Sequence, residues 1–137
     1  MSRAVIVATG STARRLNAPG EKELWGSSVH GCAVCDGPLY GPGDKVLVVG
    51  GGDAAVAAAI LLSRRVERVY LIHRGEGLSA SDRSSVRALE RVDNVEILSP
   101  YEVERWESGR TTGQGGGSAT AAAGGAPARV RPPRRYP

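Results

Sequence analysis

The chain has 137 residues and a mass of 14.3 kDa, roughly one domain's worth of sequence. Its formal charge of +4 is unevenly placed: residues 1–106 carry 13 basic and 13 acidic side chains, whereas residues 107–137 carry five arginines against Glu107. The basic character therefore belongs to a tail, which argues against nucleic-acid binding by the domain itself. No apolar run approaches the roughly 18–20 residues of a membrane span, Ala4–Ala8 is too short for a signal peptide, and two cysteines do not make a disulfide scaffold.

In chain order, the β-branched run Ala4–Ala8 (AVIVA) predicts a first strand. Residues 10–44 carry turn formers (Pro19-Gly20, Gly37-Pro38, Gly41-Pro42-Gly43) and little periodicity, the pattern of a long functional connection, and they hold both cysteines. Lys45–Val49 (KVLVV) predicts a second strand, and Asp53–Arg65, rich in Ala and Leu, a crossover helix. Arg68–Ile72 (RVYLI) predicts a third strand. Ser81–Arg91 predicts a second helix with Val86, Leu89 and Val92 on its apolar side and Ser81 or Asp82 as its cap. Val95–Leu98 (VEIL) predicts a fourth strand, and Glu102–Trp106 alternates like a fifth. The near-continuous apolar runs suit parallel strands covered on both faces. Strand, helix, strand, helix, strand is the order of a nucleotide-binding α/β half-domain. After Glu107, Gly, Ala, Pro and Arg leave almost nothing to bury, and the tail is expected to be disordered, an extension with no role or a misread reading frame, with weak nucleic-acid binding as the alternative.

Two motifs carry chemistry. Gly50-Gly51-Gly52-Asp53-Ala54-Ala55 fits G-x-G-x-x-A, directly after a predicted strand and at the start of a predicted helix. Glycines allow the tight turn and the approach of a pyrophosphate, the helix N-terminus offers free N–H groups, and Ala55 keeps helix and strand close. About 20 residues on, where a carboxylate would bind the ribose 2′-OH of NAD, stand His73 and Arg74; a guanidinium there favours the 2′-phosphate of NADP. The second motif is Cys32-Ala33-Val34-Cys35-Asp36. Thiol–disulfide exchange suits this spacing best, with Asp36 as a proton donor to a leaving thiolate. A zinc site, for which His30 and His73 are the remaining candidate ligands, and two unconnected buried cysteines are the alternatives.

Val7-Ala8-Thr9-Gly10, Pro19-Gly20-Glu21, Trp25-Gly26, Cys32-Ala33-Val34-Cys35-Asp36-Gly37, Val48-Val49-Gly50-Gly51-Gly52-Asp53 and Leu71-Ile72-His73-Arg74 occur in an order and at spacings that resemble the low-molecular-weight thioredoxin reductases, flavoenzymes with FAD and NADPH domains. The resemblance covers residues 3–106. It implies an α/β fold with a three-layer, Rossmann-like parallel sheet. On that basis residues 1–44 form the FAD-domain junction and redox segment, residues 45–106 an incomplete NAD(P)-binding domain, and residues 107–137 a disordered tail. It implies that Cys32 attacks thioredoxin, that Cys35 faces the flavin and that Asp36 is the acid. Gly51, Gly52, Asp53 and Ala54 would lie along the NADPH pyrophosphate and ribose, His73 and Arg74 at the 2′-phosphate, and Thr9-Gly10 beside FAD. It further implies FAD and NADP as cofactors, thioredoxin or a similar protein disulfide as partner, a homodimer in the full-length enzyme, and a cytoplasmic setting without membrane or nucleic acid.

The sequence departs from the family pattern at Gly75 and Ser79, where arginines usually complete the phosphate site. Each lost charge-assisted contact costs about 1.5–3 kcal/mol, so weaker NADPH binding is expected. The FAD glycine fingerprint that should precede Val5 and the later strands of the NADPH domain are not in the sequence. The chain therefore reads as the central fragment of such an enzyme, inactive alone. The other readings are a non-catalytic nucleotide-binding remnant and a dithiol oxidase or other disulfide reductase on the same scaffold.

Overall fold

β-Branched and leucine side chains dominate Lys45–Val49 (β1), Arg68–Ile72 (β2) and Val95–Leu98 (β3), and these three strands pair in parallel in the order β1-β2-β3. The computed structural model describes residues 4–10, 14–107 and 128–132. Lys45 lies opposite Arg68 and Val49 opposite Ile72, while Val69 faces Val95 and Ile72 faces Leu98. Successive strand residues point to opposite faces, and the two faces have separate cores. Val46, Val48, Val69 and Leu71 join Val56, Ala59, Leu62, Val86 and Leu89 on one side. Leu47 and Ile72 join Val29, Trp106 and Ala128 on the other. Burial on both faces is the reason β1 and β2 read as near-continuous apolar runs, and the two covered faces give the expected three layers; β3, at one edge, carries Glu96 and an exposed Ile97.

The first core is roofed by the helices Asp53–Ser63 (α3) and Arg83–Leu89 (α4). Asp82 caps α4: its carboxylate accepts from the N–H groups of Ser84 and Ser85 and from both serine hydroxyls. These bonds lower the Asp82 carboxyl to about 2. The expected long connection is partly ordered by two single-turn helices, Glu21–Leu24 (α1) and Ala33–Asp36 (α2), and by a 3-10 turn at Gly37–Leu39.

Two expectations are corrected. Ala4–Ala8 forms no strand; Val5, Ile6 and Val7 are 79–91% exposed. A short apolar run becomes a strand only beside a partner that accepts its backbone hydrogen bonds, and the described residues bring none to it. Conversely, part of the tail is ordered. Ala128–Arg131 (β5) pairs antiparallel with Glu102–Trp106 (β4), with Ala128 opposite Trp106 and Arg131 opposite Glu102. Ala128 is buried against Trp106, Val130 packs on the same cluster, and Arg131 reaches Glu102 at 2.9 Å. Composition averaged over the whole tail hides this four-residue run. The rest of the tail, residues 108–127 and 133–137, lies outside the described residues.

Candidate functional site

The turn from β1 into α3 is shaped by what each glycine has to fit. Gly50 has φ 144°, in the region that favours glycine, and donates its N–H to the carbonyl of Ile72 at 2.9 Å. A Cβ on it would come within 3.0 Å of the Ala55 Cβ, so Gly50 and Ala55 together let helix and strand approach. Gly51 is buried, and a Cβ there would fall 2.4 Å from Nδ1 of His73. The His73 ring lies between Gly51 and Gly75, whose own Cβ would meet the ring Nε2 at 2.7 Å. Ser79 donates its N–H to the Gly51 carbonyl at 2.8 Å, which folds the segment after β2 over the glycine turn. Gly52, the N-cap of α3, has extended backbone and nothing within 4 Å of a would-be Cβ. The cradle is therefore closed at Gly51 and open at Gly52, where the first-turn N–H groups of α3 leave room for an anion.

The other residues expected at this cradle divide. Gly50, Gly52, Ala54 and Ala55 border a cavity of about 670 Å³ beside β1. Asp53 does not aim its carboxylate there; Oδ1 accepts the N–H of Asp82 at 3.0 Å and ties α3 to the cap of α4. His73 is half-buried and held by its backbone, donating to Leu98 at 3.0 Å and accepting from Tyr101 at 2.9 Å. Arg74 is exposed and, among the described residues, pairs with no carboxylate. Thr9 and Gly10 lie in the exposed N-terminal segment and do not border the cavity.

Cys32, Ala33 and Asp36 of the cysteine motif border the same cavity. Cys32 is the N-cap of α2, and Cys35 sits in its single turn; the two form a disulfide with a Cα–Cα distance of 5.3 Å. The Cys35 N–H points at the Cys32 Sγ at 3.2 Å. Cys32 is half-buried, Cys35 exposed and Val34 between them 76% exposed, so the pair is open to a second molecule. Asp36 lies on the cavity side of the turn, with Oδ2 3.4 Å from Nδ1 of His30. Tyr40 packs edge-on to His30, and burial, then the negative charges of Asp36 and Asp44, pushes its phenol well up. The described residues contain no group of three His, Cys, Asp or Glu side chains placed to hold a metal.

The disulfide turn and the glycine turn thus border one cavity beside β1. The family model described as pyridine nucleotide-disulphide oxidoreductase matches residues 2–121. The chain belongs to that family. It is 43% identical over 106 residues to a thioredoxin reductase of Helicobacter pylori, an alignment covering 75% of this chain and 32% of the relative. It is 44% identical over 94 residues to one of Bacillus subtilis, covering 67% of this chain and 29% of that one. The crystal structure of the Streptococcus pyogenes thioredoxin reductase superposes with a TM-score of 0.69 at 35% identity, over 74% of this chain and 32% of that one. This member of the pyridine nucleotide-disulphide oxidoreductases thus spans about a third of the length of the relatives it matches. The family match continues into the tail as far as residue 121, beyond the Trp106 limit expected from the motifs.

Sequence reasoning named Cys32, Cys35, Asp36 and the glycines, but gave Tyr40 no role and treated His30 only as a candidate metal ligand. No local pattern marks either one, because loop folding and not residue spacing brings them to Asp36.

Proposed function

We propose that this chain carries the redox disulfide and the opening part of the NADP-binding domain of a thioredoxin-reductase-type oxidoreductase. In the whole protein, electrons from NADPH pass by way of FAD to Cys32–Cys35 and on to the disulfide of thioredoxin or a similar partner, in a reducing, cytoplasm-like setting. The observation that carries this reading is the shared cavity, which Cys32, Asp36, Gly50, Gly52 and Ala54 all border.

The residues present fit a pyridine dinucleotide. Gly52 leaves the space a pyrophosphate needs, Gly50 and Ala55 set the turn, and exposed Arg74 suits a 2′-phosphate. When bound, NADPH supplies hydride equivalents. For a flavin the described residues offer only Thr9 and Gly10 in an exposed segment, which is not a site, so the chemistry below belongs to the chain's own side chains.

That chemistry starts at Cys32. Once the disulfide opens, the Cys35 N–H at 3.2 Å favours the thiolate at Cys32, which becomes the better nucleophile toward a partner disulfide. Cys35 then resolves the mixed disulfide, and Asp36, next in sequence, supplies a proton to a departing sulfur. Gly75 and Ser79, in place of arginines, favour weak discrimination between NADPH and NADH, as in a disulfide reductase that uses another electron donor.

The test uses the chain as it stands. After reduction by dithiothreitol and removal of the reagent, it should transfer one pair of electrons to oxidised thioredoxin, with two thiols lost per chain; Cys32→Ser should transfer none. A reduced chain that keeps both thiols in the presence of thioredoxin disulfide refutes the reading.

A further inference from the structure

His30 is not accounted for by packing alone. Its side chain is only 9% exposed, its Nδ1 lies 3.4 Å from the Asp36 carboxylate, and its Nε2 is buried without a hydrogen-bond partner. A buried polar atom left unpaired is uncommon, and each case calls for a reason. The Tyr40 hydroxyl beside it is also buried and unpaired. Both residues border the cavity that Cys32 and Asp36 line. Asp36 follows Cys32 by four residues on one helical turn, with its N–H on the Cys32 carbonyl at 2.9 Å, and that spacing puts the two side chains on one face.

The charged surroundings are sparse. The segment before β1 brings Asp44, whose charge acts on Tyr40. The segments preceding the cysteines bring Arg14 and Glu21, while α3 and β1 present only Ala54, Ala55, Ala58, Leu62 and Leu47–Val49. Tyr40 stays a neutral phenol. Among the described residues, His30 alone gives Asp36 a basic partner within ion-pair distance.

We infer that His30 is a positioning residue for thiol–disulfide exchange, which holds the Asp36 carboxylate beside the cysteine turn and supplies the proton that passes through it to a departing sulfur. The inference rests on reading Cys32–Cys35 as the redox pair. With a dithiol as reductant, an external thiolate attacks the Cys32 Sγ. A new S–S bond forms, the Cys32–Cys35 bond breaks, and its electron pair leaves on Cys35. Cys35 takes one proton through the Asp36 carboxylate, which relays it from Nδ1–H of protonated His30; the imidazole is left neutral, and solvent recharges it. The second thiolate of the reductant then displaces Cys32, which takes a proton from water. The dithiol departs as a disulfide, and the protein holds two thiols.

The experiment follows the opening of the disulfide in the full chain by dithiothreitol. The rate is expressed per dithiothreitol thiolate, read by thiol labelling, and measured across the range of about pH 5 to 8 in which histidine changes charge. In the unsubstituted chain this rate should fall as pH rises. His30→Asn should flatten the profile and slow the reaction about tenfold at the acid end, less than the roughly hundredfold or more of a direct acid. Asp36→Asn should slow it further, and His30→Asn should add nothing in the Asp36→Asn background. His30→Gln repeats the test should the Asn variant lose its circular-dichroism signature. An unchanged pH profile in the His30 variants overturns the inference alone, as does a tenfold loss that persists in the Asp36→Asn background. A disulfide that dithiothreitol cannot open in the unsubstituted chain overturns the redox reading and the inference with it.

Discussion

Gly51 and Gly52 are neighbours with opposite surroundings, and replacing each by alanine should separate folding from binding. At Gly51 the added Cβ would lie 2.4 Å from Nδ1, 2.6 Å from Cε1 and 2.7 Å from Cγ of His73. The ring cannot simply swing away, because the His73 backbone is fixed to Leu98 and Tyr101 and Gly75 closes the far side. Overpacking of this kind costs about 2 kcal/mol, which lowers the Tm of a domain of about 100 residues by roughly 10 °C. At Gly52 the Cβ meets nothing within 4 Å, and the backbone is extended at φ −88°. Loss of a tolerable N-cap and loss of chain entropy in the unfolded state then act in opposite directions, each below about 1 kcal/mol. Gly52→Ala should therefore leave the Tm almost unchanged, yet it fills the space above the first turn of α3. Its affinity for NADP+ should fall at least tenfold, or about 1.4 kcal/mol. Thermal unfolding followed by circular dichroism and calorimetric titration with NADP+ give the two readouts. A Gly51→Ala protein with the parent Tm, or a Gly52→Ala protein with the parent affinity, refutes the account of the cradle.

Three further outcomes follow from other parts of the fold. Leu71 is fully buried in the core beneath α3, and Leu71→Ala should cost about 2–5 kcal/mol in urea unfolding, whereas Val34→Ala on the exposed cysteine turn should cost less than about 0.5 kcal/mol. The Asp82 carboxyl is lowered from 3.8 to about 2, so its contribution to α4 is fully present above about pH 4 and is lost as pH falls toward 2; Asp82→Asn should flatten the acid limb of stability against pH in that window. Ser79 is exposed and bonds Gly51 only through its backbone N–H, so Ser79→Arg should raise NADP+ affinity about tenfold over NAD+. Gly75→Arg should give no such gain, because its Cβ would press on His73 at 2.7 Å; competitive titration of the two dinucleotides distinguishes them.

The parallel sheet was legible because β1 and β2 are buried on both faces and carry near-continuous apolar runs, whereas β3 is shorter, broken by Glu96 and only partly covered. The cap was readable to within one residue, Ser81 or Asp82, because either short polar side chain just before the helical run offers the first N–H groups of α4 an acceptor; the structure assigns it to Asp82. The single-turn helices α1 and α2 were not legible: four residues have no periodicity to read, and α2 is held by contacts around the disulfide. Ala4–Ala8 misled because an apolar pattern records what a segment can pair with, not whether a partner is beside it. At the site, the glycines announced themselves because each does a backbone task at a fixed distance from a strand end. The wedge of His73 between Gly51 and Gly75, the turn of Asp53 toward α4 and the His30–Asp36 pair all arise from segments brought together by folding, and nothing local encodes them.

The β4–β5 ribbon makes the far end of the chain part of the domain's underside. Ala128 covers the Trp106 indole, and Arg131 anchors Glu102. A version cut short at Glu107 would bare an aromatic surface and a row of unmet backbone amides on β4, an invitation to stick to its own kind. Any shortened form meant for solution work therefore has to run through Pro132 rather than stop where the composition first turns monotonous.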